Sequence, residues 1–507
     1  MSVPWLTILG AAPLLGAVLV MLLPRRSELP KQAAFAISLA VLGLSIALAV
    51  EYDVDGGFQF VENYSWIEAF GAHYAVGLDG LGLALVLLTT ILTPVVILAS
   101  WNDADDGRWS TNSFFAWMLG LEGLAIGVFA ATDVFLFYVL FEATLIPIYF
   151  LIGGFGGARR SYASVKFLLF SLFGGLLMLA SVVGLYVVSA DSASGPSYLL
   201  EDLMAADMSQ NTERLLFLGF FIAFAIKAPM WPVHTWLPDA ASEATPGTSV
   251  LLVSVLDKIG TFGMMRFCLG IFPEASQWAT PVVIALAVFS VLYGAVLAIG
   301  QNDIRRLIAY TSVSHFGFIV LGIFVMNSQG QAGAALYMFN HGLSTAALFL
   351  ITGFLITRRG SKMISDFGGV EKSAPVLAGV FLVAGLSSLS LPGLSPFVSE
   401  FLVLAGTFTE SITAAVIATL GIVLAALYIL LMYQRTMTGP VRESTRNLPD
   451  LGGREIAAVA PLLALIVGLG FYPKPALDII NPTVDTLLER VGARDPEPTV
   501  AVREEAK

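Results

Sequence analysis

The sequence predicts an all-α, polytopic membrane protein: fourteen transmembrane helices forming a single membrane domain over residues 1–507, with two inverted five-helix repeats and with helices 7 and 12 discontinuous. Three observations predict it. Of 507 residues 57% are apolar and 12% charged, where a soluble chain carries about 25% charged residues. That leaves too little polar surface for a water-soluble particle. The apolar residues gather into runs of about 20, the length of helix that crosses a hydrocarbon core. Basic residues collect in alternate loops, as the positive-inside rule requires.

The runs fall at 3–23, 32–50, 78–100, 113–131, 133–153, 162–189, 214–231, 249–270, 279–300, 304–326, 333–356, 374–406, 413–433 and 456–473, numbered here as spans 1–14. The first, Pro4 to Leu23, is too long for a signal-peptide core and lacks a small-residue cleavage site, so it is expected to be retained. Span 12 is too long for one crossing and is cut by Ser390-Leu391-Pro392-Gly393-Leu394-Ser395-Pro396. Charge decides between one broken span and two full ones. With span 12 single, the odd loops hold Arg25, Arg26, Lys31, Arg108, Arg159, Arg160, Arg305, Arg306, Arg358, Arg359, Lys362, Lys372, Arg435, Arg442, Arg446 and Arg454, against Arg214 alone on the even side. That places the odd loops in the cytoplasm and both termini outside an inner (cell) membrane. Splitting span 12 would send Arg435 to Arg454 outside.

Composition also excludes. The formal charge is −11, with acidic residues crowded into 51–68, 191–213 and the tail after Asp495. Nucleic acid needs basic stripes instead. Cys268 is the only cysteine, so neither an iron–sulfur cluster nor an intrachain disulfide is expected, and its apolar run reads it as a small buried hydrophobe. No phosphate-binding glycine loop, dinucleotide fingerprint or zinc spacing occurs, and no extramembrane domain is expected. The chain should carry no redox or nucleotide chemistry by itself.

An ionisable side chain at mid-bilayer costs roughly 2.5–3.5 kcal/mol on insertion scales, so a cluster of them needs a purpose. Here the set is Glu122, Glu142, Lys166, Lys227, Asp257, Lys258, Arg266, His315, His341 and Glu400. Glu122 and Glu142 each lie ten residues from Thr132 in the turn between spans 4 and 5, so each is about 15 Å deep. They are expected to face each other, share a cation, or pack as neutral hydrogen-bonded groups. Lys227 precedes two prolines three residues apart, Pro229 and Pro232, which break span 7. Broken helices are tolerated where backbone lines water or packs in protein. Glu400 follows the break of span 12. His315 and His341 suit a relay because their pKa is near neutral, with a satisfied core histidine as the competing reading. Lys166 and Arg266 lie nearer helix ends, where snorkelling competes. Asp79 reads as an N-terminal cap of span 3. Spans 7 and 12 are both proline-interrupted, carry one charge at the break, and run in opposite directions. That points to inverted repeats over 113–270 (spans 4–8) and 279–433 (spans 9–13).

Two segments resemble a known family. Lys227-Ala-Pro-Met-Trp-Pro-Val-His-Thr-Trp-Leu-Pro-Asp-Ala-Ala-Ser-Glu-Ala-Thr-Pro246 resembles the signature of the antiporter-like membrane subunits of respiratory complex I (NADH:quinone oxidoreductase). Phe137-Tyr-Val-Leu-Phe-Glu142 resembles that family's span 5 motif. Motifs on spans 5, 7, 8, 10 and 12 occur in order along nearly the whole chain. Within the family the chain is most similar to the M-subunit branch: it ends soon after span 14, without a long lateral helix, and it carries Glu400 where the other branches usually carry lysine.

The resemblance implies proton translocation coupled to electron transfer in other subunits. Glu142 and Lys227 would be a coupled pair, Lys258 the central relay and Glu400 the terminal site, with Glu122, His234, His315 and His341 supporting. The family usually has histidine where Ala241 stands, which leaves His234 as the only loop candidate. No cofactor or metal is implied in this chain; NADH, FMN, iron–sulfur clusters and quinone would belong to partner subunits. Partners would be the other membrane and peripheral subunits, neighbouring antiporter-like subunits among them, and lipid. Rival readings are a subunit of a multi-chain sodium/proton antiporter, a subunit of a membrane-bound hydrogenase, a solitary solute carrier and a passive scaffold.

Overall fold

The computed structural model describes residues 3–24, 27–104, 109–190 and 195–495. Arg25, Arg26, Arg108, Asp191 and the tail beyond Asp495, all used in the charge arguments above, lie outside the described residues. Among the described residues twelve helices are long and apolar enough to cross a membrane: Trp5–Leu22, Leu29–Glu51, Gly80–Ala99, Thr111–Ala130, Val134–Phe155, Arg160–Ser189, Pro246–Leu269, Pro273–Ile299, Ile304–Phe324, Ser328–Arg359, Ile412–Met437 and Gly453–Phe471. These are spans 1–6, 8–11, 13 and 14. The two remaining expected spans are each in two pieces. Span 7 is Gln210–Lys227 followed by Trp236–Glu243, and span 12 is Pro375–Ser388 followed by Ser395–Glu410.

Short polar side chains fix where the helices begin. Ser110, Asp133, Asp303, Asn327 and Ser411 each accept a backbone N–H in the first turn of spans 4, 5, 10, 11 and 13, satisfying donors that a helix start leaves unpaired. Asp450 does the same from a distance, accepting from Val376 N and Leu377 N at 2.9 Å each at the start of span 12.

The helices divide by environment. Spans 8, 10 and 11 are buried almost along their length, and spans 3 and 4 nearly so, whereas spans 1, 2 and 14 turn most of their residues outward. The outward residues include Leu15, Leu22, Val50 and Phe471, which suit lipid. Most of the ionisable groups singled out above sit on the enclosed helices or at the breaks, where protein rather than lipid surrounds them.

Three elements were not expected. The acidic stretch 51–68 is not simply a solvated loop: strands β1 (Gln59–Ile67) and β2 (Ala72–Leu78) form an antiparallel hairpin. Its Glu62 is buried and accepts from Leu6 N at 2.7 Å and Thr7 N at 3.1 Å, so this charge caps span 1. After span 14 a further helix, Lys474–Arg490, packs on spans 3 and 11 through Ile480, Val484, Leu487 and Leu488. Its approach is close enough that a side chain on Gly80 would collide with the Ile479 carbonyl. Finally, the stretch read as a loop after Lys227 is largely helix, and Ala241 is buried inside it.

Candidate functional site

The break of span 7 is built so that its freed backbone is not wasted. The Trp231 N–H, beyond the last helical turn, donates to Ser290 Oγ of span 9 at 2.9 Å. The Ile226 carbonyl is taken by the Trp236 indole N–H at 2.9 Å, which ties the second half of the span to the first. Lys227 is the last residue of the first half and is buried. Its ammonium lies over the rings of Phe141 (5.3 Å to the centroid) and Phe167 (5.5 Å), a cation–π setting. Among the described residues no atom hydrogen-bonds to it. Two carboxylates act on it electrostatically, Asp257 first and Glu142 second.

Glu142 lies near the middle of span 5, two residues before a local irregularity at Thr144, and is half-buried. Gly175 of span 6 leaves the space its carboxyl group fills. Facing Glu122 is one of the three arrangements open from sequence, and Glu122 is not among the charges that act on Glu142. Glu142 interacts with Lys227, whereas Glu122 is enclosed elsewhere, with Thr93 of span 3 as its polar neighbour and no strong hydrogen bond to either oxygen. Equal depth on adjacent helices did not bring the two carboxylates together, because rotation about each helix axis is set by packing.

Span 8 widens into i→i+5 turns over Leu251–Leu256 and Met264–Leu269, a local insertion often found at functional positions. Lys258 follows the first of these. Its fully buried ammonium donates to the Val253 carbonyl at 2.8 Å and to His341 Nδ1 at 2.6 Å, and lies 4.8 Å from the Phe316 ring centroid. The His341 ring stands edge-on to His315 at 5.2 Å between centroids and reaches Thr345 Oγ1 at 3.2 Å through Nε2. Tyr337 lies beside His315, 5.8 Å between centroids, and its hydroxyl donates to Glu400 Oε2 at 3.1 Å. The Ser390 hydroxyl also donates to Glu400 Oε2. Lys258, His341, His315, Tyr337 and Glu400 therefore form one enclosed polar row linking spans 8, 10, 11 and 12.

Other charges resolve differently from expectation. Lys166 and Arg266 do not snorkel freely. Lys166 pairs with Asp239 at 2.7 Å, and Asp239 also holds Arg306 at 2.5 Å. Arg266 is buried between Phe58 and Phe262 and pairs with Asp79 at 2.6 Å. Asp79 does cap span 3, accepting from Gly82 N, but it is this ion pair as well. His234 is buried in the break of span 7, against Tyr293 (5.1 Å) and Tyr310 (6.4 Å), and lies apart from the Lys258 row. Tyr337 and Ser390 were missed. The signal for Tyr337 was its place one turn before His341, on the same helix face; Ser390 lay in plain view at the break.

Enclosed lysines, histidines and carboxylates on buried spans and at the breaks of two discontinuous ones are features of membrane proteins that move small cations. The comparisons narrow this. A family profile described as NADH:quinone oxidoreductase/Mrp antiporter, transmembrane, matches residues 131–426. The NADH-quinone oxidoreductase subunit M of Mycobacterium tuberculosis (strain CDC 1551 / Oshkosh) is 52% identical over 99% of this chain and 97% of its own length. That of Rhodobacter capsulatus is 38% identical over 96% of this chain and 97% of its own. A chain of respiratory complex I from Thermus thermophilus superposes with a TM-score of 0.88 at 31% identity, covering 96% of this chain and all of that one. A chain of the Mrp complex from Dietzia shares the fold, with a TM-score of 0.85 at 21% identity over 97% of this chain and 100% of that one. The chain belongs to the NADH:quinone oxidoreductase/Mrp antiporter family of multi-pass membrane proteins.

Proposed function

We propose that this antiporter-like membrane subunit of an NADH:quinone oxidoreductase moves protons along its row of buried charges, with Glu142 and Lys227 as the coupled loading pair, Lys258 as the central relay and Glu400 as the terminal site. Supporting positions are His315 and His341 within the row, and Glu122 and His234, which lie apart from it. The reading rests above all on one observation: Lys258 donates to His341 at 2.6 Å inside a fully enclosed polar row that ends on Glu400. Enclosed polar atoms without strong protein partners, on Lys227, Asp257 and Glu142, are where bridging water would be most favourable.

Protons are taken up from the cytoplasmic side and released outside the inner membrane, both termini being external, and the two broken spans belong to inverted repeats over 113–270 and 279–433. Each charge moved outward against 100 mV costs about 2.3 kcal/mol. That work comes from NADH oxidation and quinone reduction in partner subunits, which hold FMN and the iron–sulfur clusters; this chain does no redox chemistry. In the reconstituted complex, Lys227→Ala is expected to abolish proton pumping into sealed vesicles. Pumping at the native rate would overturn the assignment. A sodium requirement for transport, with no response to NADH, would favour the antiporter reading instead.

A further inference from the structure

Between Lys227 and the row that begins at Lys258 there is a step that the proposed sites do not fill, and Asp257 stands beside both lysines. Its side chain is fully buried and neither oxygen has a hydrogen-bond partner among the described residues. Both lysines act on it electrostatically, Lys258 first and Lys227 second. An uncompensated carboxyl group in such a place is costly, and spans 8 and 7 give it no capping or pairing duty that would explain it.

Helix geometry aims it. Gly260 of span 8 packs directly on the backbone of span 7, where a side chain would meet the Ala228 N–H and the Phe224 carbonyl at 2.6 Å each. Residues three apart on a helix share a face. Asp257 therefore shares the face that Gly260 turns to span 7, beside the break that carries Lys227. Lys258, one residue on, is turned by about 100° and reaches the other way, to His341 on span 11. Adjacent residues of one helix thus address the two neighbouring cation sites.

We propose that Asp257 is a relay carboxyl group between the two lysines, taking a proton from the Lys227 ammonium and delivering it to the neutral Lys258 amine. The carboxylate becomes a carboxylic acid in the first transfer and is restored in the second, so one proton moves and no other bond changes. This rests on the proton-transfer reading above, which names Lys227 and Lys258 as sites but leaves the link between them open.

The test uses the whole complex in sealed vesicles. Asp257→Asn keeps the shape and removes the proton site. It is expected to lower proton pumping by about tenfold or more, the scale of losing a placed proton-transfer group. Asp257→Glu, which keeps the carboxyl group, should restore pumping to within about threefold, a residual barrier of under about 1 kcal/mol. A band in the protonated-carboxyl region of the turnover infrared difference spectrum should vanish in Asp257→Asn and shift in Asp257→Glu. A purely structural counter-charge would leave that region unchanged. Native pumping in Asp257→Asn, no rescue by Asp257→Glu, or an unmoved infrared band would each overturn the proposal. Should Asp257→Asn not assemble, the Asp257→Glu band decides alone. Native pumping in Asp257→Asn together with a dead Lys227→Ala sinks only this step; native pumping in both sinks the underlying reading.

Discussion

The two broken spans solve the same problem in opposite ways. In span 7 the charge at the break, Lys227, has two aromatic rings for neighbours and no hydrogen bond among the described residues. In span 12 the charge near the break, Glu400, is held by two hydroxyls, from Tyr337 and Ser390. The backbones at the breaks are secured in both: Ser290 and Trp236 take groups freed in span 7, and the Asn340 amide donates to the Ser395 carbonyl of span 12 at 2.8 Å. A charge held only by field and π-face responds to whatever carboxylate comes near it. A charge held by directed hydrogen bonds keeps its place. The difference teaches that Lys227 is left without directed hydrogen bonds among the described residues while Glu400 is fixed by two, so the proposed reading would have Lys227 switched and Glu400 filled and emptied in place.

The sharpest way to break this comparison is Lys227→Met, which keeps the length and removes the charge. Proton pumping is expected to be lost altogether, while the thermal midpoint of the assembled complex stays level or rises. A buried ion replaced by a matching hydrophobe is often neutral or stabilising. A large fall in the midpoint would mean that Lys227 carries structure, not switching. Next in size is Glu400→Gln, expected to slow pumping by about a hundredfold with an unchanged midpoint, since an amide oxygen still accepts from both hydroxyls. Tyr337→Phe follows. It removes one hydrogen bond to a charged group, worth about 1.5–3 kcal/mol, and interrupts the row between His315 and Glu400; pumping should fall by about tenfold in a vesicle assay. If Tyr337→Phe pumps normally, the row does not run through the tyrosine. Smallest is Ser390, whose φ of +59° is unfavourable for any residue with a side chain. Ser390→Ala should cost about 1.5 kcal/mol of stability, the low end for a lost hydrogen bond to a charged group. Ser390→Gly should cost less, because glycine relieves the backbone. Thermal melts of the two variants order them.

How far the site was legible follows from which physics is local. Lys227 and Glu400 could be read because a charge within an apolar run, next to prolines, is anomalous in its own sequence window. Lys258, His315 and His341 stood out as ionisable groups within apolar runs, without prolines beside them. Tyr337 did not, since a tyrosine in a membrane helix is unremarkable until its hydroxyl is found on Glu400, 63 residues away. Arg266 shows the converse. Nearness to a helix end suggested snorkelling, but its partner Asp79 lies 187 residues distant. The C-terminal helix Lys474–Arg490 escaped notice because it is amphipathic and polar overall, so a search for long apolar runs passes over it.

Sequence by itself determined that the chain crosses a membrane many times, where its long apolar helices run, that prolines interrupt spans 7 and 12, and which charges fall inside apolar runs. Those follow from the cost of putting each residue in hydrocarbon, a quantity that sums along the chain. Only the tertiary structure decided which enclosed groups meet: that Lys258 reaches His341 across 83 residues, that Tyr337 reaches Glu400 across 63, and that Asp257, turned about 100° from its neighbour, shares the face that Gly260 packs on span 7. The physical reason is that burial depends on depth, which spacing along a helix gives. Contact depends also on each helix's rotation and on its neighbours, which only packing in three dimensions sets.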